Sequence, residues 1–383
     1  RQRVGSSPTT GTTSEQSPLC SGDFYKIRRP LRFLAPPFQI EPAALGFDLV
    51  SGTDRRENRL HRRPWGDIMK KFLRALFIIA FSVIILLIAI YINHRIRLKQ
   101  ESELRSPLGE IVEVDGHNIS IYTEGTGGTA LVFMSGGGTC SPILDFKSLY
   151  SLLSDTHQIA VVEKLGYGFS DVADQSRDID SILEDTRAAL TAAGLSAPYI
   201  LCPHSMSGLE ALYWAQKYPD EVSAIIGLDM AVPGYYDSMS INIPLMRIAG
   251  WAANIGITRF IPGISNSDAV KHGTLSEAEK EIYKAVFYSR TATVTMINET
   301  QWVKKNAEKV DSMGVPQIPM LLFISNGSGG TGFDMETWRK IPIEYIAQVH
   351  DGRYIALDCP HYVHDYEYRT ISEDIIAFLS DKE

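Results

Sequence analysis

The chain has 383 residues, 44% hydrophobic and 21% charged, with a formal net charge of −8. That is enough apolar material for a large buried core, and it excludes wholesale disorder, a collagen-like repeat and a disulfide scaffold. Residues 1–68 carry 11 basic and 7 acidic side chains, so the remainder holds 26 and 38; an acidic body repels phosphate backbones and argues against nucleic acid as a partner.

Residues 1–68 hold 7 of the 19 prolines, Ser/Thr/Gly clusters and three Arg pairs, with no sustained period of 2 or 3.6. Such composition does not offset its ordering entropy. It reads either as a disordered basic tail or as sequence upstream of a natural start at Met69, and the second reading is favoured. Met69-Lys70-Lys71 before an apolar run has the form of a bacterial N-terminus.

Phe72 to Ile92 carries one charge, Arg74. As a helix these residues span about 31 Å, the thickness of a bilayer's hydrocarbon core. No face is polar, unlike a soluble helix, and Tyr91-Ile92-Asn93-His94 offers no small-residue cleavage site. The expectation is an uncleaved single-pass anchor in the cell membrane. Basic residues flank both ends, Lys70, Lys71 and Arg74 before and Arg95, Arg97, Lys99 and Arg105 after, so charge alone barely orients it. The short N-terminal side with paired lysines favours an extracytoplasmic body. Residues 93–108 read as a charged linker.

Beyond the linker, Ile111–Val114 and Asn118–Tyr122 alternate with period 2 around Asp115-Gly116, a hairpin turn signal. Ala130–Met134 is a short buried strand running into Ser135-Gly136-Gly137-Gly138. Phe146–Leu153 has helical spacing, Gln158–Glu163 reads as a strand, and Leu165–Asp171 as a Gly-rich turn. A helix over Ile179–Ala193 stops at Gly194. Tyr199–Cys202 is a strand, Gly208–Tyr218 a helix ended by Pro219, and Ala224–Asp229 a further strand. Pro319–Ser325 and Tyr354–Leu357 complete the strands, and Ile371–Leu379 is a terminal amphipathic helix.

A hairpin followed by strand–helix alternation implies a mostly parallel twisted sheet covered by helices on both faces. Residues 231–315 break the rhythm with helical patterns alone. They read as a cap inserted into a core made of 109–230 and 316–383, lying over the sheet edge where ligands bind in open α/β folds.

Three turns carry the chemistry. In Leu201-Cys-Pro-His-Ser-Met-Ser-Gly208, Ser205 stands between a strand and a helix, a place that exposes a weak nucleophile and sets it at a helix N-terminus. The segment resembles the nucleophile elbow of the α/β-hydrolase superfamily, Gly-x-Ser-x-Gly, with Pro203 and Ser207 in place of the flanking glycines. Ser135-Gly136-Gly137-Gly138 is similar to the family's oxyanion loop, with Ser135 for its histidine. Glu163-Lys-Leu-Gly-Tyr-Gly-Phe-Ser-Asp171 resembles its Asp-Arg-x-Gly-x-Gly-x-Ser turn.

The resemblance covers about 110–382 and implies a serine hydrolase with a helical cap, esterase- or proline-iminopeptidase-like. It maps the nucleophile onto Ser205, the base onto His361 with His364 as rival, and the oxyanion-binding N–H groups onto Gly137 and Met206. The orienting acid stays open between Asp229, at a strand end, and Asp334, past the loop after the next strand; Asp229 is preferred because a strand end is better preorganised. An ester or amide would be cleaved through an acyl-enzyme. Acyl transfer, peptide cleavage and a non-catalytic binding module remain alternatives on the same fold. Lid aromatics such as Trp251, Tyr283 and Tyr288 suggest an apolar small-molecule substrate. No cofactor is implied, and the sequence shows neither zinc-ligand spacing, nor a P-loop, nor a dinucleotide fingerprint.

Overall fold

A computed structural model describes residues 65–381. The expectations for 1–64 therefore lie outside the described residues. Residues 65–68, read above as part of the irregular leader, are helical instead.

Helix α1 runs Trp65–Gln100, and an 18-residue stretch of it has mean hydropathy 3.1 with none of that stretch buried. By length and composition it can cross a membrane. Its C-terminal end corrects the expected linker at 93–108, because the helix continues to Gln100. Nothing from Asn93 to Gln100 breaks a helix, and Arg, Lys and Gln are good helix formers. His94 is buried in this stretch, and a Cβ on Gly256 would lie 2.4 Å from its Cβ.

Eight strands form one sheet: β1 (Glu110–Val114), β2 (His117–Glu124), β3 (Ala130–Met134), β4 (Ile159–Glu163), β5 (Tyr199–Pro203), β6 (Val222–Leu228), β7 (Met320–Ile324) and β8 (Gly352–Ala356). Their order is β1-β2-β4-β3-β5-β6-β7-β8; β1 and β2 pair antiparallel, β2 meets β4 antiparallel, and the other neighbours are parallel. Asp115 (φ 48°) and Gly116 (φ 77°) turn the first hairpin, with both central residues at positive φ as its twist requires.

Residues of β3 alternate between two cores. Val132 and Met134 face one cluster, which holds Leu183 and Leu190 of α2 (Ile179–Ala192) and Leu209 and Leu212 of α3 (Gly208–Lys217). Leu131 and Phe133 face the other, which holds Ile371, Ile375 and Phe378 of the terminal helix. All five residues of β3, β4, β5 and β7 are buried, as strands covered on both faces must be. Each such Leu, Ile or Phe contributes about 1.5–3 kcal/mol.

Between β6 and β7 lie α4 (Ile243–Asn254), α5 (Glu277–Arg290) and α6 (Val294–Ser312), with shorter helical turns and no strand. Several of their polar contacts fall on the loops that leave β3 and β4. Tyr283 Oη donates to Asp145 Oδ1 (3.1 Å), Arg290 Nε to Gly168 O (2.7 Å) and Thr295 Oγ1 to Ala173 O (2.7 Å). Buried Lys164 stands between Glu210 of α3 (2.6 Å) and Glu299 of α6 (2.5 Å).

Two further elements differ from expectation. Phe146–Leu153 is not one helix but follows Pro142–Asp145 with another single turn, Lys147–Tyr150. A helix that the sequence reading passed over, α7 (Met335–Ile346), links β7 to β8, and α8 (Tyr368–Ser380) ends the fold. Pro342 within α7 hid its pattern.

Candidate active site

The β5–α3 turn holds Ser205 at φ 53°, a left-handed conformation that costs a non-glycine residue on the order of 1–3 kcal/mol and is found where a site demands it. Backbone hydrogen bonds to the neighbouring strands hold it. His204 N–H donates to Met134 O (2.9 Å), and Ala231 N–H donates to Ser205 O (2.7 Å), so both sides of the turn are tied to adjacent strand ends. Gly208 is obligatory, since a Cβ there would come within 2.1 Å of Ala231 O. Ser207, which stands where the family has glycine, has its hydroxyl 2.6 Å from Met134 O and 2.8 Å from His204 O, and so braces the turn. Pro203 ends β5 in register with Met134; at a strand end its fixed φ and missing N–H are tolerated.

Ser205 and Met206 are half-buried. The glycine loop after β3 lies directly against them: a Cβ on Gly136 would sit 2.7 Å from Ser205 Cβ, and one on Gly137 would sit 2.9 Å from Met206 Cε. Gly138 N–H points elsewhere, to Tyr167 Oη (3.3 Å), whose hydroxyl in turn donates to Glu299 Oε2 (2.8 Å).

His361 follows β8 and is buried, its backbone N–H bound to Ser328 O (2.9 Å). Its Nδ1 lies 2.6 Å from Asp229 Oδ2. A carboxylate only accepts, so Nδ1 carries the proton and Nε2 is left with a lone pair. Asp229 sits just past β6 at φ 50° and is 2% exposed. Its Oδ1 also accepts from Ser325 N–H (2.7 Å) and from Trp338 Nε1 (3.0 Å). Three donors thus fix this carboxylate, as a buried charge requires.

Of the two candidate acids, only Asp229 meets the imidazole. Asp334 is exposed and caps α7, accepting from Thr337 N–H (2.9 Å) and Thr337 Oγ1 (2.9 Å). The helix that the sequence reading passed over claims this carboxylate, which explains why it does not reach back. His364, the rival base, is fully buried beside Phe146 (ring centroids 4.7 Å apart), and neither ring nitrogen has a polar partner. Burial, helped by the neighbouring His361 ring, pushes its pKa down to about 3.

Two side chains at this centre had no role in the sequence reading. Trp338 holds Asp229, and its signal was Asp334 itself, an N-cap residue before an apolar turn. His204 packs 4.6 Å from the His361 ring and places Nε2 3.3 Å from His361 O; burial holds its pKa well below the usual range. Cys202 and Cys359 are free and buried, and burial pushes the Cys359 thiol up to about 12, so neither offers a thiolate near neutral pH. Among the described residues no group of His, Cys, Asp and Glu is arranged to hold a metal ion.

A family model described as alpha/beta hydrolase fold matches residues 129–252. A Bacillus subtilis (strain 168) protein, "Uncharacterized protein YbdG", is 38% identical over 258 residues, 66% of this chain and 79% of its own length. A "Cis-3-alkyl-4-alkyloxetan-2-one decarboxylase" of Shewanella oneidensis is 23% identical over 290 residues, covering 70% of this chain and 87% of that one. Among solved structures, a thermophilic esterase from Thermogutta terrifontis shares the fold with TM-score 0.54 and 15% identity, covering 71% of this chain and 99% of the esterase.

Proposed function

Because this chain belongs to the α/β-hydrolase family, we propose that it is a membrane-anchored serine hydrolase that cleaves an ester or amide through an acyl-enzyme on Ser205. The observation that carries the reading is the His361 Nδ1–Asp229 Oδ2 contact of 2.6 Å, on a buried aspartate, in a fold that also holds Ser205 at φ 53° on a strand-to-helix turn.

In this reading His361 Nε2 takes the Ser205 proton as Oγ attacks the carbonyl carbon. Asp229 holds the productive tautomer and stabilises the imidazolium. The N–H groups of Gly137 and Met206 bind the oxyanion, and His361 returns the proton to the leaving alcohol or amine. Water, deprotonated by the same imidazole, then releases the acid. Residues 231–315 form the cap, 109–230 with 316–383 the catalytic core, and Phe72–Ile92 the anchor, with the body outside the cytoplasm.

The test is labelling of the full chain by a fluorophosphonate probe. Labelling that disappears in Ser205→Ala supports the reading; a folded wild type that stays unlabelled favours a non-catalytic module. Substrate profiling begins with apolar esters, amides and strained cyclic esters, the last because the Shewanella relative is named for an oxetan-2-one. Peptides and acyl acceptors in the same panel separate peptidase and transferase from simple hydrolysis.

A further inference from the structure

Beyond the candidate active site, a cavity of roughly 750 Å³ opens between the end of α1, α4 and the junction of α5 with α6. Neither Ser205, His361, Asp229 nor Gly137 lines it. Four arginines do, Arg95, Arg105, Arg247 and Arg290, against one carboxylate, Asp174, which is itself engaged by Asn298 Nδ2 (2.9 Å). None of the four arginines makes an ion pair with a described residue. Arg105 and Arg290 are instead pinned by backbone carbonyls, Arg105 Nη2 to Leu98 O (2.8 Å) and Arg290 Nε to Gly168 O (2.7 Å). Arg105 Nε is buried without a partner. Burial and the neighbouring Arg105 charge together hold the Arg290 guanidinium below its usual range. Glu163 and Asp171 offset part of the Arg290 charge from a distance, but four guanidinium groups without an ion pair around one void suit an anion.

An exposed apolar face that begins at Trp251, itself in the cavity wall, identifies the source of that anion. Leu245, Ile248 and Trp251 form an i, i+3, i+6 stripe on α4, and they are 60%, 62% and 53% exposed. Phe260 follows at 59%. This apolar face is fixed to the end of α1: Arg259 Nε donates to His94 Nδ1 (2.9 Å), and its two Nη atoms clasp Glu101 (2.8 and 2.6 Å). The cavity's α1 residues, His94 to Leu98, lie about 3–9 Å along the helix beyond Ile92, the last residue of the apolar run. A headgroup layer is about 5–8 Å deep on each side of the hydrocarbon core.

The geometry points to a docking site for an anionic phospholipid of the host bilayer, with its phosphodiester among the four arginines and its acyl chains along Leu245, Ile248 and Trp251. This inference rests on the reading of Phe72–Ile92 as a membrane anchor. A bound lipid seats the cap against the membrane surface, so the enzyme faces substrates that partition there.

The experiment uses the full chain in phosphatidylcholine nanodiscs doped with photoactivatable phosphatidylglycerol, with adducts mapped by mass spectrometry. Adducts are expected in 94–105 and in α4, competed by unlabelled phosphatidylglycerol but not by phosphatidylcholine or inorganic phosphate. Each arginine near an anionic membrane surface contributes roughly fivefold to anionic-lipid affinity, so R95Q/R247Q should weaken competition about 25-fold, whereas R97Q, outside the cavity on the same helix, should weaken it by no more than about fivefold. Adducts spread over the chain, indifference to lipid charge or to R95Q/R247Q, or displacement by inorganic phosphate overturns the site. Alkaline carbonate treatment of vesicles separates the two readings. Protein that stays in the vesicles yet fails the labelling criteria sinks the lipid site alone, whereas protein that is extracted sinks the anchor and the site with it.

Discussion

Asp229 and His361 are 132 positions apart in the chain, yet Oδ2 of one lies 2.6 Å from Nδ1 of the other, shorter than the approach of either of the carboxylate's remaining donors. In the proposed reaction that bond decides which imidazole nitrogen is free to take the Ser205 proton. Replacing Asp229 by Asn puts an amide where only an acceptor serves, and the ring loses its required tautomer. We expect Asp229→Asn to lower kcat by about 10³–10⁴-fold with KM little changed, measured on a chromogenic ester. Asp334→Asn should keep activity within about twofold. Were the two variants equally impaired, Asp229 would not be the orienting acid.

The contrast between these two aspartates shows where the sequence was readable. Strand ends were legible, because β3, β5 and β7 and the Ala224–Leu228 part of β6 are apolar runs closed by Gly or polar turns, and they set Ser205 and Asp229 at one edge of the sheet. The Gly-rich loop 326–334 was not legible: its backbone path depends on glycines at positive φ, and the capping role of Asp334 depended on a helix masked by Pro342. Likewise, the burial of His364 rather than His361 beside Phe146 is a packing outcome that no local pattern encodes. Helix α1 outran its expected end for a simpler reason, since charged residues are good helix formers once a nucleus exists.

Trp338 offers a test of what the sequence reading missed. Its Nε1 reaches both Asp229 oxygens (3.0 and 3.2 Å), while its ring stacks on Tyr235 with centroids 4.2 Å apart. Trp338→Phe preserves the stacking and deletes the donor. A hydrogen bond to a charged group is worth about 1.5–3 kcal/mol. If part of it serves the transition state, kcat should fall about 3–10-fold at constant KM. Steady-state kinetics decide the point, and a variant with unchanged kcat and raised KM would mean that Trp338 shapes the pocket instead.

Lys164 joins three elements, the β4 end, α3 and α6, through Glu210 and Glu299, and all three side chains are at most 4% exposed. A buried ion pair gives little net stability, but breaking one leaves an uncompensated charge. Lys164→Met should therefore cost about 3–5 kcal/mol in denaturant unfolding, whereas the triple K164M/E210Q/E299Q should recover most of that loss. Failure of the triple variant to recover would shift the cost from charge to packing.

His364 supplies the pH dependence. Its pKa falls from about 6.5 in an unfolded chain to about 3 in the folded one. As pH drops below 6.5 the unfolded state takes up a proton that the folded state refuses, so stability is fully present above 6.5 and is lost progressively toward 3. The slope is about 1.4 kcal/mol per pH unit, which over the interval from 6.5 to 5 amounts to about 2 kcal/mol. His364→Phe keeps a ring against Phe146 and removes the titrating nitrogens, neither of which has a hydrogen-bond partner to lose. Asp145 and Asp365 nearby, pushed up by burial, titrate in the opposite sense, but they do so in both proteins and largely cancel in the difference. Unfolding free energies at pH 7 and pH 5 should thus show wild type losing about 2 kcal/mol more than the variant; equal losses would mean that His364 is solvated or paired in the folded protein.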